Sequence, residues 1–217
     1  MSKIKALINP VTPFAQNAPI IYCENTKQCA FVDPGGDIET LIQVAHENEL
    51  IPAKILLTHG HADHAGGATE LSNALDIAII GPHKEDLFLL QSLEEQGRMF
   101  GMEANDCMPQ QWLKDGDEVI LGEALLSVFH CPGHTPGHII FFNNDSKLAI
   151  VGDVLFRGSI GRTDLPKGNH ADLLASIQTK LWPLGDDVIF ISGHGPVSTF
   201  GQERLDNAFV ADSVLQD

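Results

Sequence analysis

The sequence predicts an α/β fold in which two mixed β-sheets carry helices on their outer faces. Three observations indicate this fold. Apolar, strand-sized segments alternate with segments of near-helical apolar spacing up to residue 100, and a β-rich stretch over 118–151 follows. A helix and a further strand come after that stretch. We find no linker, charge block or internal repeat in the 217 residues, of which 43% are hydrophobic, so a single domain over 1–217 is expected.

The first predicted elements form a β-hairpin followed by a helix and a strand. The segments 20–23 and 29–33 are short and apolar, and the sequence "DPGG" at 33–36 is typical of a turn. Apolar residues then recur at helical spacing from Ile38 to Leu50. The strand "KILLT" at 54–58 follows, and its carboxyl end leads into a histidine-rich turn.

The next predicted elements continue the alternation of helix and strand. A helix is expected over 65–75, a buried strand over 77–81 and a helix from Pro82 to Phe100. In the remaining chain we expect strands at 118–121, 124–131, 138–142, 148–151 and 188–192, and helices at 170–181 and 201–208. Both halves of the chain end in strands that lead into a histidine-bearing loop, which predicts a cleft at one edge of the sheets.

Composition limits the classes of partner. The net charge of −16, from 13 basic and 29 acidic residues, disfavours nucleic acid, whose phosphates are bound mainly by Lys and Arg. No apolar run approaches the ~20 residues of a membrane-spanning helix, and the amino terminus does not resemble a secretory signal. Cys23, Cys29, Cys107 and Cys131 form no CxxC motif, which favours reduced thiols. We therefore expect a cytoplasmic protein that binds neither nucleic acid nor membranes.

The histidine-rich turn "THGHADHAGG" at 58–67 is the strongest functional signal. His59, His61, Asp63 and His64 occupy four of six consecutive positions. Each histidine alone is more often a packing or capping residue than a ligand. Together, four such side chains in one turn would be costly to desolvate without a cation, so the turn predicts a metal site.

Three further residues with metal-ligating side chains follow or end predicted strands. They are His134 in "CPGHTPGH", Asp153 in "VGDVLF" and His194 in "SGHGP". Neighbouring glycines permit the tight turns that would direct these side chains into one cleft. Imidazole and carboxylate ligands suit zinc, while iron and manganese accept the same donors.

These motifs, in this order, resemble the signature of the metallo-β-lactamase superfamily. The stretches "VDPGG", "GDVLFRGSIGRTDLP" and "GHGPVSTFGQER" are most similar to the glyoxalase II branch, in particular its short, single-domain hydroxyacylglutathione hydrolases of the GloC type. The resemblance covers nearly the whole chain. It implies a four-layer αββα sandwich, the metallo-β-lactamase fold.

The resemblance also implies a site with two divalent metal ions, most simply Zn(II). The first would be held by His59, His61 and His134, and the second by Asp63, His64 and His194, with Asp153 bridging them. A hydroxide shared by two metals at ~3.5–4 Å would be the nucleophile. Asp153 and Asp63 are thus the predicted catalytic carboxylates, since Asp63 is also placed to orient that hydroxide.

Two residues are predicted to support the ligands. Asp33 could hold a ligand histidine in orientation or could only cap its turn, and the sequence favours neither interpretation. His138, four residues after His134, is expected to be structural or to contact a ligand. Cys131 continues an apolar strand, so we do not expect a thiolate ligand.

The resemblance implies a thioester substrate, S-lactoylglutathione or a related acyl-glutathione, cleaved to lactate and glutathione. The two-domain relatives carry a helical carboxyl-terminal domain that binds glutathione, and only 23 residues follow His194 here (217 − 194), so we expect that domain to be absent. Arg162 is then the best-placed cation for a substrate carboxylate, although it could instead pair with Asp164 at the surface. Further residues expected near the cleft are Arg98, Met99, Phe100, Phe156 and Arg157.

Other activities remain open on the same ligand set. Mononuclear iron persulfide dioxygenases share the HxHxDH motif and a "GRTD" stretch, and β-lactam or lactone hydrolysis would use the same ligands. A nuclease is disfavoured by the charge, and a purely structural zinc site by the number of ligands, because structural sites are usually closed with four. The sequence leaves the oligomeric state open, a monomer included.

Overall fold

The computed structural model describes residues 2–215 of the chain. The strands of its first half are β1 (Ile4–Leu7), β2 (Pro10–Val11), β3 (Gln16–Asn17), β4 (Ile20–Cys23), β5 (Gln28–Val32), β6 (Ile51–Leu56) and β7 (Ala78–Ile80). Those of its second half are β8 (Glu118–Leu121), β9 (Ala124–His130), β10 (Ile139–Asn143), β11 (Leu148–Gly152), β12 (Leu155–Phe156), β13 (Ser159–Ile160), β14 (Ile189–Ser192) and β15 (Ser198–Thr199). The α-helices are α1 (Ile38–Glu47), α2 (Ala62–Ala65), α3 (Ala68–Leu75), α4 (Leu87–Leu90), α5 (Leu93–Phe100), α6 (His170–Ser176) and α7 (Phe200–Asp206).

Two mixed sheets form the centre of the molecule, as predicted. The first has five strands in the order β1-β4-β5-β6-β7, antiparallel as far as β5 and parallel from β5 to β7. The second has six strands in the order β15-β14-β11-β10-β9-β8, in which only β11 and β14 are parallel. Two small hairpins, β2-β3 and β12-β13, stand apart from both sheets.

The alternation of side chains along the strands produces three apolar layers. Ile20 and Phe31 point to the layer that packs against α1, α3 and α5, whereas their neighbours Ile21 and Val32 point to the layer between the two sheets. Phe141 of β10 enters that middle layer from the second sheet. Successive strand residues face opposite sides of a sheet, so each of these strands is buried on both faces.

A third layer closes the fold on the far side of the second sheet. Phe190 of β14 stacks on Phe200 of α7, with ring centroids 5.5 Å apart, and Leu173 of α6 packs into the same cluster. The order of layers is therefore helix, sheet, sheet, helix. This confirms the predicted αββα architecture.

Two predicted helices begin or continue differently from the prediction. The helix expected over 65–75 starts earlier, at Ala62, and is divided into α2 and α3 by Gly66 and Gly67. The Gly67 N–H donates to the carbonyl of Pro34, and a Cβ at position 67 would lie 2.5 Å from Ile38 Cδ1. The chain thus bends where the "DPGG" turn packs closely against it.

The helix expected from Pro82 to Phe100 is also divided, into a 3₁₀ turn over 84–86 followed by α4 and α5. Between α4 and α5 the hydroxyl of Ser92 donates to the carbonyls of Phe88 and Leu89, an arrangement that weakens and bends helices. The helix expected over 170–181 is α-helical only as far as Ser176 and ends in a π-helical turn over 177–181.

The remaining differences lie in short strands and in strand ends. β1, β15 and the two small hairpins were not predicted, and the strand expected at 54–58 begins at Ile51, since Pro52 pairs with Cys29 at an irregularity in the register. Each is too short or irregular to give a period-two pattern. Among the described helices, none combines the length and apolarity that crossing a bilayer requires.

Candidate metal centre

The predicted ligands converge at one edge of the two sheets. β6 ends just before His59, β11 leads into Asp153, and β14 leads into His194. His134 lies in the loop between β9 and β10. These strand ends meet at the cleft, so residues distant in sequence are brought together.

His59, His61 and His134 form the first group of three. One ring nitrogen from each lies within 4.8 Å of the other two. His134 Nε2 and His61 Nδ1 are 3.0 Å apart, and the ring of His59 is fully buried beside them. This is the set that the sequence analysis assigned to the first metal.

Asp63, His64 and His194 form the second group. His194 Nε2 lies 3.2 Å and His64 Nε2 lies 3.8 Å from Asp63 Oδ2. Asp63 and His64 both belong to α2, whose single turn presents them to the same space. A Cβ at Gly35 would lie 1.6 Å from the carbonyl oxygen of Asp63, so the "DPGG" turn packs directly under α2.

Asp153 lies between the two groups. Its Oδ2 is 3.6 Å from His134 Nε2, and its Oδ1 is 3.4 Å from His64 Nε2. A Cβ at position 193 would lie 2.1 Å from Asp153 Oδ1, so Gly193 is required for this approach. One carboxylate therefore faces a ligand from each group.

A buried donor or acceptor without a partner is costly, and the centre contains three such atoms. His59 Nε2, His64 Nε2 and Asp153 Oδ1 are buried and have no well-directed hydrogen bond among the described residues, the last two lying 3.4 Å from each other. They belong to the first group, the second group and the carboxylate between them. A cation held by each group would satisfy these atoms, so the donor set fits divalent metal ions.

Hydrogen bonds fix the ring nitrogens of two ligands. His134 Nδ1 lies 2.8 Å from the carbonyl oxygen of Arg162, to which it donates, and this leaves the lone pair of His134 Nε2 directed into the cleft. His64 Nδ1 lies 3.0 Å from Asp33 Oδ2, which orients His64 Nε2 in the same way. Asp33 is thus placed against a ligand histidine rather than only within its turn.

Asp33 is itself held firmly. It adopts a left-handed backbone conformation with φ of 48°, and its carboxylate accepts hydrogen bonds from the backbone N–H and the hydroxyl of Thr58. His138 has a comparable position on the other side, where its Nε2 accepts from the backbone N–H of Asp153 at 3.0 Å and its ring stacks on His59. Both residues contact the centre from behind its ligands.

Burial and charge set the protonation of the centre. Burial lowers the pKa of His59 and, together with the nearby His134, lowers the pKa of His61 to about 3, so both rings are neutral. Burial opposes the charge of Asp153, but His64 outweighs it and holds the pKa of that carboxyl well below its usual range. Burial likewise opposes a charge on His64, yet Asp153 and Asp63 raise its pKa well above the ordinary value. Ionised Asp63 in the second group and ionised Asp153 beside it thus create a strong demand for positive charge around His64.

Asp86 is a residue of this region that sequence reasoning missed. Its fully buried carboxylate accepts hydrogen bonds from the backbone N–H of Gly60, the hydroxyl of Thr135 and the backbone N–H of Gly137, at 3.0, 2.7 and 2.6 Å. Gly60 lies between two ligands of the first group, and Thr135 follows the third. Asp86 therefore joins the two loops that carry this group. No spacing in the sequence connects it to them.

A cleft of about 410 Å³ opens above the two groups. Arg162, Phe156 and Phe100 line it as expected, whereas Arg98, Met99 and Arg157 are not part of its lining. The guanidinium of Arg162 donates two hydrogen bonds to Asp164, at 2.7 and 2.6 Å, and both side chains are exposed. Arg162 thus lies at the cleft and also forms the surface pair that the sequence left as an alternative.

Cys131 does not take part in the centre. Its thiol is fully buried in the apolar layer beside α6, where burial raises its pKa above that of an ordinary cysteine. All four cysteines are free thiols. Cys131 thus packs in the apolar layer and does not belong to either group of clustered ligand residues.

Comparison with known proteins agrees with the fold. The sequence model of the metallo-beta-lactamase superfamily matches residues 11–194. The hydroxyacylglutathione hydrolase GloC of Haemophilus influenzae is 45% identical over 205 residues, which cover 94% of this chain and 96% of that protein.

Solved structures give the same result. The B3 metallo-beta-lactamase BLEG-1 superposes with a TM-score of 0.87 at 37% identity, over 96% of this chain and 99% of that one. TTHA1623, solved in a di-iron-bound form, superposes with a TM-score of 0.86 at 34% identity, over 94% and 100% of the two chains. With the clusters of histidine and aspartate, these likenesses indicate a divalent-metal site. The chain belongs to the metallo-beta-lactamase superfamily.

Proposed function

We propose that this chain is a metal-dependent thioester hydrolase that acts on hydroxyacylglutathiones, with S-lactoylglutathione as the reference substrate. The observation that carries the proposal is the pair of ligand groups facing each other across Asp153, with a buried, unpartnered ligand atom in each. The 45% identity to a hydroxyacylglutathione hydrolase over nearly the full length of both proteins supports this choice among the reactions known for such sites.

In this proposal His59, His61 and His134 would hold one divalent ion, Asp63, His64 and His194 would hold the other, and Asp153 would be available to both. Zn(II) suits these donors best, while iron and manganese are compatible with them. When bound, two such ions would bring the pKa of a shared water toward neutrality and polarise the thioester carbonyl. The cleft above the groups gives the substrate access to this position.

The carboxylate of Asp63 has a second role in the proposal. Burial acts to raise its pKa, but His64 and His194 lower it below the ordinary value, so the group is ionised and accepts hydrogen bonds. Asp63 lines the cleft and is partly exposed there. It can therefore orient the attacking water by accepting a hydrogen bond from it, with Asp63 Oδ2 3.2 Å from His194 Nε2.

The composition of the cleft suits a thioester better than an amide. Apart from the proposed ligands, the lining within residues 2–215 contains no Lys, Glu, Tyr or Cys that could protonate an amine leaving group. A thiol has a pKa of ~8.5, so a thiolate leaves without such an acid. The absence of a general acid is thus compatible with the proposed reaction.

β-Lactam hydrolysis is a second candidate, and the likeness to BLEG-1 at 37% identity is the observation that favours it. The ligand set alone does not separate the two activities, because both need a polarised carbonyl and an activated water. The iron-dependent oxidation of persulfides is a third reaction on the same scaffold. It requires a single iron and oxygen, so metal content and oxygen uptake distinguish it.

The test is one set of assays on the same purified protein. We expect hydrolysis of S-lactoylglutathione without oxygen uptake, no oxygen consumption with glutathione persulfide, and slow or no opening of a chromogenic cephalosporin. The variant Asp63→Asn should lose the thioester activity, whereas Asp206→Asn, an exposed aspartate on α7, should keep it. Oxygen consumption or faster β-lactam opening, with no thioester cleavage, would contradict the proposal.

A further inference from the structure

The cleft has an apolar lining outside the ligand groups. Its side chains there are Phe14, Phe100, Met102, Phe156, Ile160 and Leu165. They come from three separate parts of the chain, namely the β2-β3 hairpin, the end of α5 with its following loop, and the β12-β13 region. Because this lining offers few groups for hydrogen bonds, a ligand gains binding free energy from it mainly by burying apolar surface.

Phe14 and Phe100 form the outer part of this lining. Their rings meet edge to face with centroids 6.0 Å apart, although the residues lie on different segments. They remain 43% and 55% exposed, which is high for aromatic side chains that pack on each other. Their free faces therefore present apolar area at the mouth of the cleft.

The β12-β13 part of the lining is fixed by hydrogen bonds from α7 and the residue that follows it. Asn207 Nδ2 donates to the carbonyl of Ser159 at 3.1 Å, and Glu203 accepts from the backbone N–H of Gly158 at 2.7 Å. These bonds hold the β12-β13 hairpin, which carries Phe156 and Ile160. An apolar group in the cleft would thus contact a preformed surface.

The polar side chains of the lining, other than the ligand groups, are largely engaged. Gln96 accepts from the backbone N–H of Ala62 and donates to the carbonyl of Leu89. Arg162 is paired with Asp164 through both of its donated hydrogen bonds. Ser159 supplies a single hydroxyl. Outside the ligand groups, the lining therefore offers an acyl group more apolar contact than hydrogen bonding.

We propose that this cleft binds a bulky apolar acyl group, so that aryl hydroxyacyl thioesters such as S-mandeloylglutathione are better substrates than S-lactoylglutathione. The inference rests on the proposed function, which makes glutathione the thiol carrier. Glutathione bears two carboxylates, which gain nothing from phenylalanine rings, and a single ammonium group, which could contact one ring face but not the whole apolar lining. The apolar surface in such a substrate must then belong to the acyl group, and Phe14 and Phe100 select it.

The first test compares kcat/KM for the mandeloyl and lactoyl thioesters of glutathione. In the wild-type protein we expect a preference for mandeloyl of at least about tenfold, since burying a few methylene equivalents in an apolar pocket gives ~10–200-fold discrimination. Phe14→Ala and Phe100→Ala should each reduce that ratio severalfold. The control Phe209→Ala, which removes an exposed phenylalanine outside the cleft, should leave the ratio unchanged.

The second test measures binding without catalysis. The thioethers S-benzylglutathione and S-methylglutathione cannot be hydrolysed, and calorimetry should show about tenfold tighter binding of the benzyl compound, lost in Phe100→Ala. Equal rates for both thioesters together with equal affinities for both thioethers would overturn the inference while leaving the proposed hydrolase in place. If neither thioester is cleaved, the proposed function fails, and the thioether affinities still decide whether the cleft prefers an aryl group.

Discussion

The cleft has a floor, formed by the two ligand groups and Asp153, and a rim, formed by Phe14, Phe100 and Arg162. The side chains of these two regions differ in how firmly they are held. On the floor, His64 and His134 each have the ring nitrogen facing away from the cleft paired, with Asp33 Oδ2 at 3.0 Å and with the Arg162 carbonyl at 2.8 Å. At the rim, Phe14 and Phe100 touch each other and remain about half exposed to solvent. The floor is buried and polar, whereas the rim is exposed and, apart from Arg162, apolar.

This difference separates the reaction from its selectivity. Ligands must keep their positions within a fraction of an ångström, so their rings are locked by hydrogen bonds behind them. The rim only has to exclude water from an apolar substituent, which a few ring faces achieve. Changes on the floor are therefore expected to affect metal binding and turnover, and changes at the rim the choice of substrate.

The largest effect is expected at the floor, for Asp153→Ala. This carboxylate faces both ligand groups, so its loss should remove metal and lower kcat by ~10²–10³-fold or more, the size reported for removal of one charge-stabilising partner. Metal content and thioester hydrolysis measured on one sample check this. Full metal content and full activity in the variant would break the assignment of Asp153 between the groups.

The contribution of Asp86 to stability depends on pH with a definite sign. Burial raises the pKa of this carboxyl to about 6, despite three hydrogen bonds that act the other way, whereas the unfolded chain has the ordinary value near 4. The folded state therefore retains its proton up to higher pH, so the free energy of unfolding falls as pH rises from about 4 to 6.

The variant Asp86→Asn isolates this effect. Relative to it, the wild-type protein, freed of metal by chelation, should lose about 3 kcal/mol of stability over that pH range. Urea unfolding of both proteins at several pH values gives the difference. A wild-type protein that instead gains stability with pH relative to Asp86→Asn would show that the carboxylate is ionised throughout.

A smaller effect is expected for Asp33, which contacts the ligand histidine His64 from behind. Asp33→Asn should weaken the binding of the ion assigned to Asp63, His64 and His194 by ~10–100-fold, because hydrogen bonds that orient metal ligands contribute that much to metal affinity. Competition with a chromogenic chelator measures it, and circular dichroism confirms that the fold is retained. Unchanged affinity would mean that Asp33 serves only its turn and Thr58.

The smallest effect is expected at the rim, for Arg162→Ala. Arg162 is exposed and already paired with Asp164, so its removal should raise KM for glutathione thioesters by no more than a few fold, with kcat nearly unchanged. A small neutral thioester serves as the comparison. Equal increases for both substrates would argue against any contact between Arg162 and a substrate carboxylate.

The sequence predicted the floor better than the rim, and the reason is physical. His59, His61, Asp63 and His64 are adjacent in the chain, so local spacing already indicated a shared ligand site. The order of strands placed the later ligands at the same edge, although it did not reveal the short helix that carries Asp63 and His64.

The features that escaped prediction depend on contacts between distant segments. Asp86 joins two loops far from it in sequence, and Phe14 meets Phe100 only because the β2-β3 hairpin folds over α5. The helix expected over 82–100 is divided at Ser92, and the spacing of apolar residues along the sequence does not reveal the hydrogen bonds of this side chain. Arg162 could be placed near the cleft, but its pairing with Asp164 was one of two alternatives until the structure showed it.

The central claim is that two ligand groups, joined by Asp153, bind two divalent ions. The most direct measurement is the number of zinc ions bound per chain, by native mass spectrometry of the wild-type protein and of the variants His61→Ala and His194→Ala. We predict two ions in the wild-type protein and one in each variant. A single ion in the wild-type protein, lost from one variant and retained in the other, would contradict the claim.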